Sequence, residues 1–191
     1  MTRADPTRQV MPKMGKVREM SFIQFSLKKT CAFVLLFWAF AANADHLSAP
    51  LGDVILTVKG QMTQTNTPEG ASFDLDMLQK VGTVTFSTTT PWTEGVQTFS
   101  GVPLNQLLMH IGAAPSRMKV AAINEYQVEV PATDAVDGGP ILAWEQSGRL
   151  LSIREKGPLW LVYPFDSKSE YRTEEIHSRA VWQVVQIELI P

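Results

Sequence analysis

Asn124, Glu125 and Tyr126 follow one another between two apolar, strand-like segments. They offer an amide, a carboxylate and a phenol, the mixture of donors and acceptors that the edge of a flat heteroaromatic ring asks for. Further on, Arg154, Glu155 and Lys156 stand against Gly157-Pro158, and the chain runs straight into Leu159, Trp160, Leu161, Val162 and Tyr163. Most such charges are solvated turn residues. Here the apolar strand that follows would hold the turn rigidly against a core, so Arg154 and Lys156 are read as the lip of a site. Trp92 after "TTTP" and Trp182 in "SRAVWQ" are large aromatics beside polar loops, placed either for the core or as a stacking platform. Tyr171, Arg172, Ser178 and Arg179 flank the last strand-like segment and can donate to an anion, with a solvated surface as the equal alternative. These side chains form the candidate ligand-binding set, and none is assigned a catalytic or metal-binding role.

Several familiar chemistries have no foothold. There is no P-loop, no G-x-G-x-x-G, no H-E-x-x-H and no G-x-S-x-G. His46, His110 and His177 are dispersed: one near the start, one on a helix surface and one in a charged loop, which argues against a metal cluster. The only cysteine is Cys31. From Met20 the chain reads as an export leader, with Lys28 and Lys29 as its basic start, Cys31 to Ala42 as its apolar core and Ala42-Asn43-Ala44 as an A-x-A cleavage signal. The apolar run is shorter than the roughly 20 residues that span a bilayer. Cleavage is expected after Ala44, with Met20 as the working start and Asp45 as the mature N-terminus. Residues 1–44 are thus leader, and residues 45–191 are expected to form one periplasmic domain with no thiol, no disulfide and no thiolate metal ligand.

Beyond residue 44 the chain carries 10 Lys and Arg against 17 Asp and Glu, a net charge of about −7. That balance argues against a nucleic-acid partner. The remaining cations are uneven, with Arg149, Arg154, Lys156, Lys168, Arg172 and Arg179 close together in sequence, which suggests a site for something polar or anionic.

The elements that must position these residues are short. "DVILTVKGQM" alternates, with Val54, Leu56 and Val58 on one face of an N-terminal strand. "SFDLDMLQKVG" predicts a helix capped by Ser72 or Asp74 and stopped by Gly82. "TVTFSTTTPW" is strand-like, and "FSGVPLNQLLMHIG" places Pro103 in the first turn of a helix whose stripe is Leu104, Leu107, Leu108 and Ile111. "KVAAINEYQVEVP", "GPILAWEQSGRLLSI", "GPLWLVYPFD" and "AVWQVVQIELIP" each read as strand, with a hairpin around Gly148 and a second turn at Gly157-Pro158. Strands outnumber helices, so the expected class is α+β, a single domain of mixed β-sheets and short helices.

In order and spacing, "FSGVPLNQLL", "AINEYQVEVP", "ILAWEQSGRLL", "REKGPLWLVYP" and "SRAVWQVVQIEL" resemble the oxidoreductase molybdopterin-binding domain, the sulfite-oxidase-like fold, over roughly residues 53–190. In that family the corresponding segments wrap the pterin of a molybdenum cofactor, and a cysteine supplies the metal thiolate. With no cysteine beyond residue 44, the chain looks more like a small exported, cysteine-free branch. Its members are periplasmic pterin-binding proteins that partner a membrane cyclic-di-GMP enzyme with diguanylate cyclase and phosphodiesterase (GGDEF/EAL) domains. The resemblance implies a free reduced pterin, such as a tetrahydropterin, in the former molybdopterin cleft and no catalysis. Glu125 or another nearby carboxylate would accept from the pterin amino and ring N–H groups. The alternative it implies is a molybdopterin-dependent oxidoreductase subunit.

Overall fold

The structure, a computed structural model, describes residues 47–191. The leader, its cleavage site, Cys31 and His46 lie outside the described residues. Among the described residues no helix is long and apolar enough to cross a membrane.

Among the described residues ten strands form two five-stranded sheets. The first has the order β2-β1-β10-β5-β6, from Gly70–Phe73, Leu56–Lys59, Val184–Ile190, Arg117–Ala122 and Gln127–Pro131. It is mixed, since β1 and β10 run parallel while every other neighbouring pair is antiparallel. The second sheet has the order β3-β4-β7-β8, from Val84–Thr88, Gln97–Pro103, Ile141–Gln146 and Arg149–Leu150, with β9 (Trp160–Val162) also paired to β7. All of its pairs are antiparallel. The expected α+β class is what the chain adopts.

Local chemistry explains the elements. In β1, Leu56 and Val58 are fully buried while Thr57 and Lys59 turn outward, the period-two pattern of a half-buried strand. Val54, expected on the same face, precedes the strand and is 53% exposed. Helix α1 (Leu75–Val81) is capped by Asp74, whose Oδ1 accepts from the Met77 N–H at 2.8 Å. Ser72, the other candidate cap, lies in β2 opposite Thr57 of β1. Helix α2 (Leu104–His110) leaves β4 directly at Pro103, which occupies the cap position just ahead of the first turn. Leu104, Leu107, Leu108 and Ile111 are its buried stripe, and His110 lies on its exposed side.

"KVAAINEYQVEVP" folds back on itself, so Asn124, Glu125 and Tyr126 sit in the turn between β5 and β6. Ser147 and Gly148 close the β7–β8 hairpin with φ of 49° and 77°, the paired positive values of a tight two-residue turn. The segment read as a charged loop around His177 is instead a short helix, α3 (Glu174–Arg179). Its cap is Thr173, which accepts from the Ile176 N–H, and its acidic first turn and basic last turn match the helix dipole. One contiguous core draws Leu56, Phe73, Val120 and Ile187 from the first sheet, Phe99, Leu142 and Trp160 from the second, and Leu78, Leu107 and Ile176 from the helices.

Candidate functional site

Three segments far apart in sequence meet around a cavity of about 310 Å³ lined by Trp92, Ala122, Asn124, Tyr126, His177, Ser178, Ala180, Val181 and Trp182. The β5–β6 turn brings the first polar group. Ala122 N–H donates to the Tyr126 carbonyl at 2.9 Å and Tyr126 N–H donates to Asn124 Oδ1 at 3.2 Å. Between them Glu125 takes φ 66° at the exposed tip, so it stands beside the lining and is not part of it.

Trp92 arrives on the loop between β3 and β4. That loop is tied to the far side of the second sheet by Asp166, which accepts from the Thr89 N–H at 2.6 Å and the Thr89 hydroxyl at 2.9 Å. These donors, the backbone N–H first, hold the Asp166 carboxyl below the usual aspartate range. The Trp92 ring is the hub of an aromatic cluster, edge-on to Trp182 at 5.6 Å, Trp160 and His177 at 6.0 Å, and Phe165 at 6.2 Å between centroids. Trp160 is fully buried and donates its indole N–H to the Ala180 carbonyl at 3.2 Å, so the cluster is anchored in the core. Trp182 is 37% exposed and is the outermost ring.

The Ser152–Gly157 turn is closed by N–H groups of Glu155 and Gly157 donating to the Ser152 carbonyl at 3.0 and 2.8 Å. A side chain at Gly157 would collide with the Leu151 carbonyl, which explains a glycine there. Lys156 is half-buried and holds its Nζ 5.3 Å from the Trp160 centroid and 5.5 Å from that of Trp182, a cation over two ring faces. It also lines a separate polar recess of about 220 Å³ with Thr93, Arg149 and Glu155. Arg154 is exposed and lines neither space.

The structure therefore gathers Trp92, Asn124, Tyr126, Ser178 and Trp182 at one cavity, with Glu125 and Lys156 at its margins. Apart from Arg154, which is exposed, the remaining expected residues hold the fold. Tyr171 is 8% exposed and packs edge-on against Tyr163 at 5.6 Å. Arg172 donates to the carbonyls of Phe165 and Asp166 at 3.1 and 3.3 Å. Arg179 pairs with Asp134 at 3.0 Å and also meets Glu175. The Tyr163 hydroxyl donates to the same Asp134 oxygen at 2.7 Å, and burial, with that bond, drives its acidity far below that of a free phenol.

His177 lines the cavity although the sequence reading set it aside. Its signal was the helix pattern around it: Thr173 as cap, acids in the first turn and Ile176 turned inward. The lining contains no Asp, Glu, Lys or Arg, so the cationic character expected from the sequence belongs to the margin and not to the cavity. Chemically, the cavity is bordered by edge-on aromatic rings and by an amide, a phenol, a hydroxyl and an imidazole, a lining that suits an uncharged, hydrogen-bonding ring. Among the described residues no group of three or more His, Cys, Asp or Glu side chains is placed to hold a metal ion.

No curated protein sequence matches the chain. Among solved structures, the chain is similar to the sulfane dehydrogenase SoxCD from Paracoccus pantotrophus, with a TM-score of 0.52 and 17% identity. That likeness speaks to the fold alone. It covers 71% of this chain and 37% of that one, so the chain spans well under half of the enzyme it matches. Residues 56–166, more than half of the sequence, match the family described as the oxidoreductase molybdopterin binding domain. With the mixed and antiparallel sheets and the aromatic cleft described above, the chain belongs to the oxidoreductase molybdopterin-binding domain family and has its sulfite-oxidase-like fold.

Proposed function

We propose that the protein is a pterin-binding protein that holds a free, reduced pterin in the cavity bordered by Trp92 and Trp182 and serves as a signalling component and not as a catalyst. The observation that carries this reading is the uncharged aromatic cavity itself. A pterin carries a flat pyrimidine ring with donors and acceptors along one edge, and the Asn124 amide, Tyr126 phenol and Ser178 hydroxyl are among the polar groups of the cavity lining.

The molybdenum half of the family's cofactor fits less well. Its enzymes hold the metal through a cysteine thiolate, whereas the lining here offers only amide, phenol, hydroxyl and imidazole donors, and the described residues include no cysteine. The residues present fit the pterin ring and not a thiolate-held metal, and no redox step is assigned to them. The remainder of the proposal rests on the sequence. The leader pattern of residues 20–44 supports a periplasmic location, and the resemblance to cysteine-free pterin proteins supports regulation of a membrane diguanylate cyclase/phosphodiesterase through its periplasmic domain.

The test is calorimetric titration of the purified protein with 6-methyltetrahydropterin, together with metal analysis of the same preparation. Saturable one-to-one binding with no molybdenum is the expected result. Stoichiometric molybdenum would overturn the reading in favour of the second one, a molybdopterin-dependent oxidoreductase subunit, which family membership keeps in play.

A further inference from the structure

Gln183 lies between Trp182 and the first residue of β10, and it has φ 57°. Left-handed backbone is uncommon for a side chain of this size and persists where the surroundings impose it. Here they do so through three hydrogen bonds. The Gln183 N–H donates to the Lys156 carbonyl at 3.0 Å, its carbonyl accepts from the Ile123 N–H at 3.0 Å, and its side-chain amide donates to the Ile153 carbonyl at 2.6 Å. One residue thus ties the Ser152–Gly157 turn, the β5–β6 turn and the Trp182 segment to one another. Those are the segments that bring Lys156, Asn124 with Tyr126, and Trp182 to the cavity.

From this convergence we infer that Gln183 is a positioning residue for the ligand: it fixes the outer aromatic wall by gripping the turn that carries Lys156. The inference rests on the pterin reading above and assigns affinity control to a side chain that does not line the cavity. The grip matters because Trp182 is the ring least supported by packing. Trp160 is held by the core, whereas Trp182 projects to solvent, with Trp92 edge-on to one side and Lys156 over its face. The turn is equally dependent. Arg154 and Glu155 are exposed, so the Gln183 bonds to Ile153 and Lys156 are its link to the last strand. If the carboxamide lets go, the turn keeps only the backbone bond from Gln183 N–H to the Lys156 carbonyl, and a ring stacked on Trp182 meets a less firmly pre-formed wall.

Gln183→Gly tests this with little risk to folding, because glycine takes φ 57° freely and keeps both backbone bonds while removing only the carboxamide. Three measurements are made on the full chain: calorimetric affinity for 6-methyltetrahydropterin, near-ultraviolet circular dichroism of the ligand-free protein, and the affinity of Gln183→Gly combined with Trp182→Ala. The expected results are a tenfold or greater loss of affinity, a changed tryptophan dichroism band with an unchanged melting temperature, and no further loss from Gln183→Gly once Trp182 is alanine. A merely structural role would lower the melting temperature and would weaken binding equally in both backgrounds. An unchanged dichroism band, or the same additional loss in the Trp182→Ala background, overturns the inference. The dichroism arm needs no ligand, so a wild-type protein that fails to bind pterin would remove the proposed function while leaving the role of Gln183 to be decided by its spectrum.

Discussion

Replacing Trp182 with alanine tests the proposed stacking wall against a core role, because Trp160 in the same cluster is wholly buried while Trp182 reaches the surface. Trp160 is fully buried and hydrogen-bonded to the Ala180 carbonyl, so Trp160→Ala removes a complete core side chain and should cost about 3–5 kcal/mol of stability. Trp182 is 37% exposed and touches its neighbours chiefly through edge contacts, 5.6 Å to Trp92 and 6.5 Å to Trp160. Its loss should cost roughly half as much or less, on the order of 1–2 kcal/mol, from one or two edge contacts and partial burial. For ligand binding the ranking reverses. A ring stacked on Trp182 gains about 1–3 kcal/mol by analogy with bases on aromatic platforms, which corresponds to a five- to roughly 150-fold loss of affinity on truncation. The assay is isothermal titration with 6-methyltetrahydropterin, paired with thermal melting of the same samples. Trp182→Ala should melt within a few degrees of wild type and bind at least fivefold more weakly. A Trp182→Ala protein that binds the pterin as wild type does would refute stacking on this ring, and with it the assignment of the cavity.

Three other outcomes follow from the same geometry. Lys156→Met, which keeps the apolar stem and removes the charge above Trp160 and Trp182, should weaken pterin binding several-fold in calorimetry, whereas Arg154→Ala, exposed and outside the cavity, should leave affinity near wild type. Arg179→Ala leaves Asp134 largely buried without its cation and should cost about 3–5 kcal/mol, roughly 10 °C in melting temperature for a domain of this size; Tyr163→Phe, which removes one donor and keeps the ion pair, should cost about 1–2 kcal/mol. The carboxyls of Asp74 and Asp166 are both held below the ordinary aspartate range, chiefly by N–H donors from Gly52 and Met77 in one case and from Thr89 in the other. Folded-state values below the unfolded ones mean that their stabilising effect is present above about pH 4 and is lost as pH falls through the folded values. Melting temperature should therefore drop on acidification below pH 4, and Asp74→Asn should flatten that drop; an unaltered acid limb would contradict the role given to its cap.

What the sequence made legible is what depends on neighbours along the chain. The alternation of Leu56 and Val58, the stripe on α2, the Gly148 hairpin and the cap before α1 are local patterns, and each element formed where its pattern lay. Trp92 and Trp182, which line the cavity, are conspicuous in the sequence as large rings beside polar loops. Pairings that cross the chain were not legible. Arg172 and Arg179 look like free cations until Asp166, the Phe165 carbonyl and Asp134 are brought beside them, and Tyr171 looks like a surface phenol until Tyr163 packs on it. His177 and Gln183 were missed for the same reason. One owes its position to a helix of six residues and the other to three hydrogen bonds reaching Ile123, Ile153 and Lys156.

The distribution of charge narrows the ligand further than the shape of the cavity does. The chain beyond residue 44 is acidic by about seven charges, a field that disfavours approach of anions in general. The cavity lining neither opposes that field with a permanent cation nor adds a carboxylate. Lys156 holds its charge over the faces of Trp160 and Trp182 and does not line the cavity. An anionic ligand would meet repulsion at long range and no compensating partner at short range, whereas a neutral ring would lose little on entry and gain the aromatic contacts in full. Affinity for a neutral tetrahydropterin should accordingly change less than twofold between 50 mM and 500 mM salt, since no ion pair is formed to be screened. A steep fall in calorimetric affinity across that range would place the ligand's main contact in the polar recess of Arg149 and Lys156 and not in the aromatic cavity.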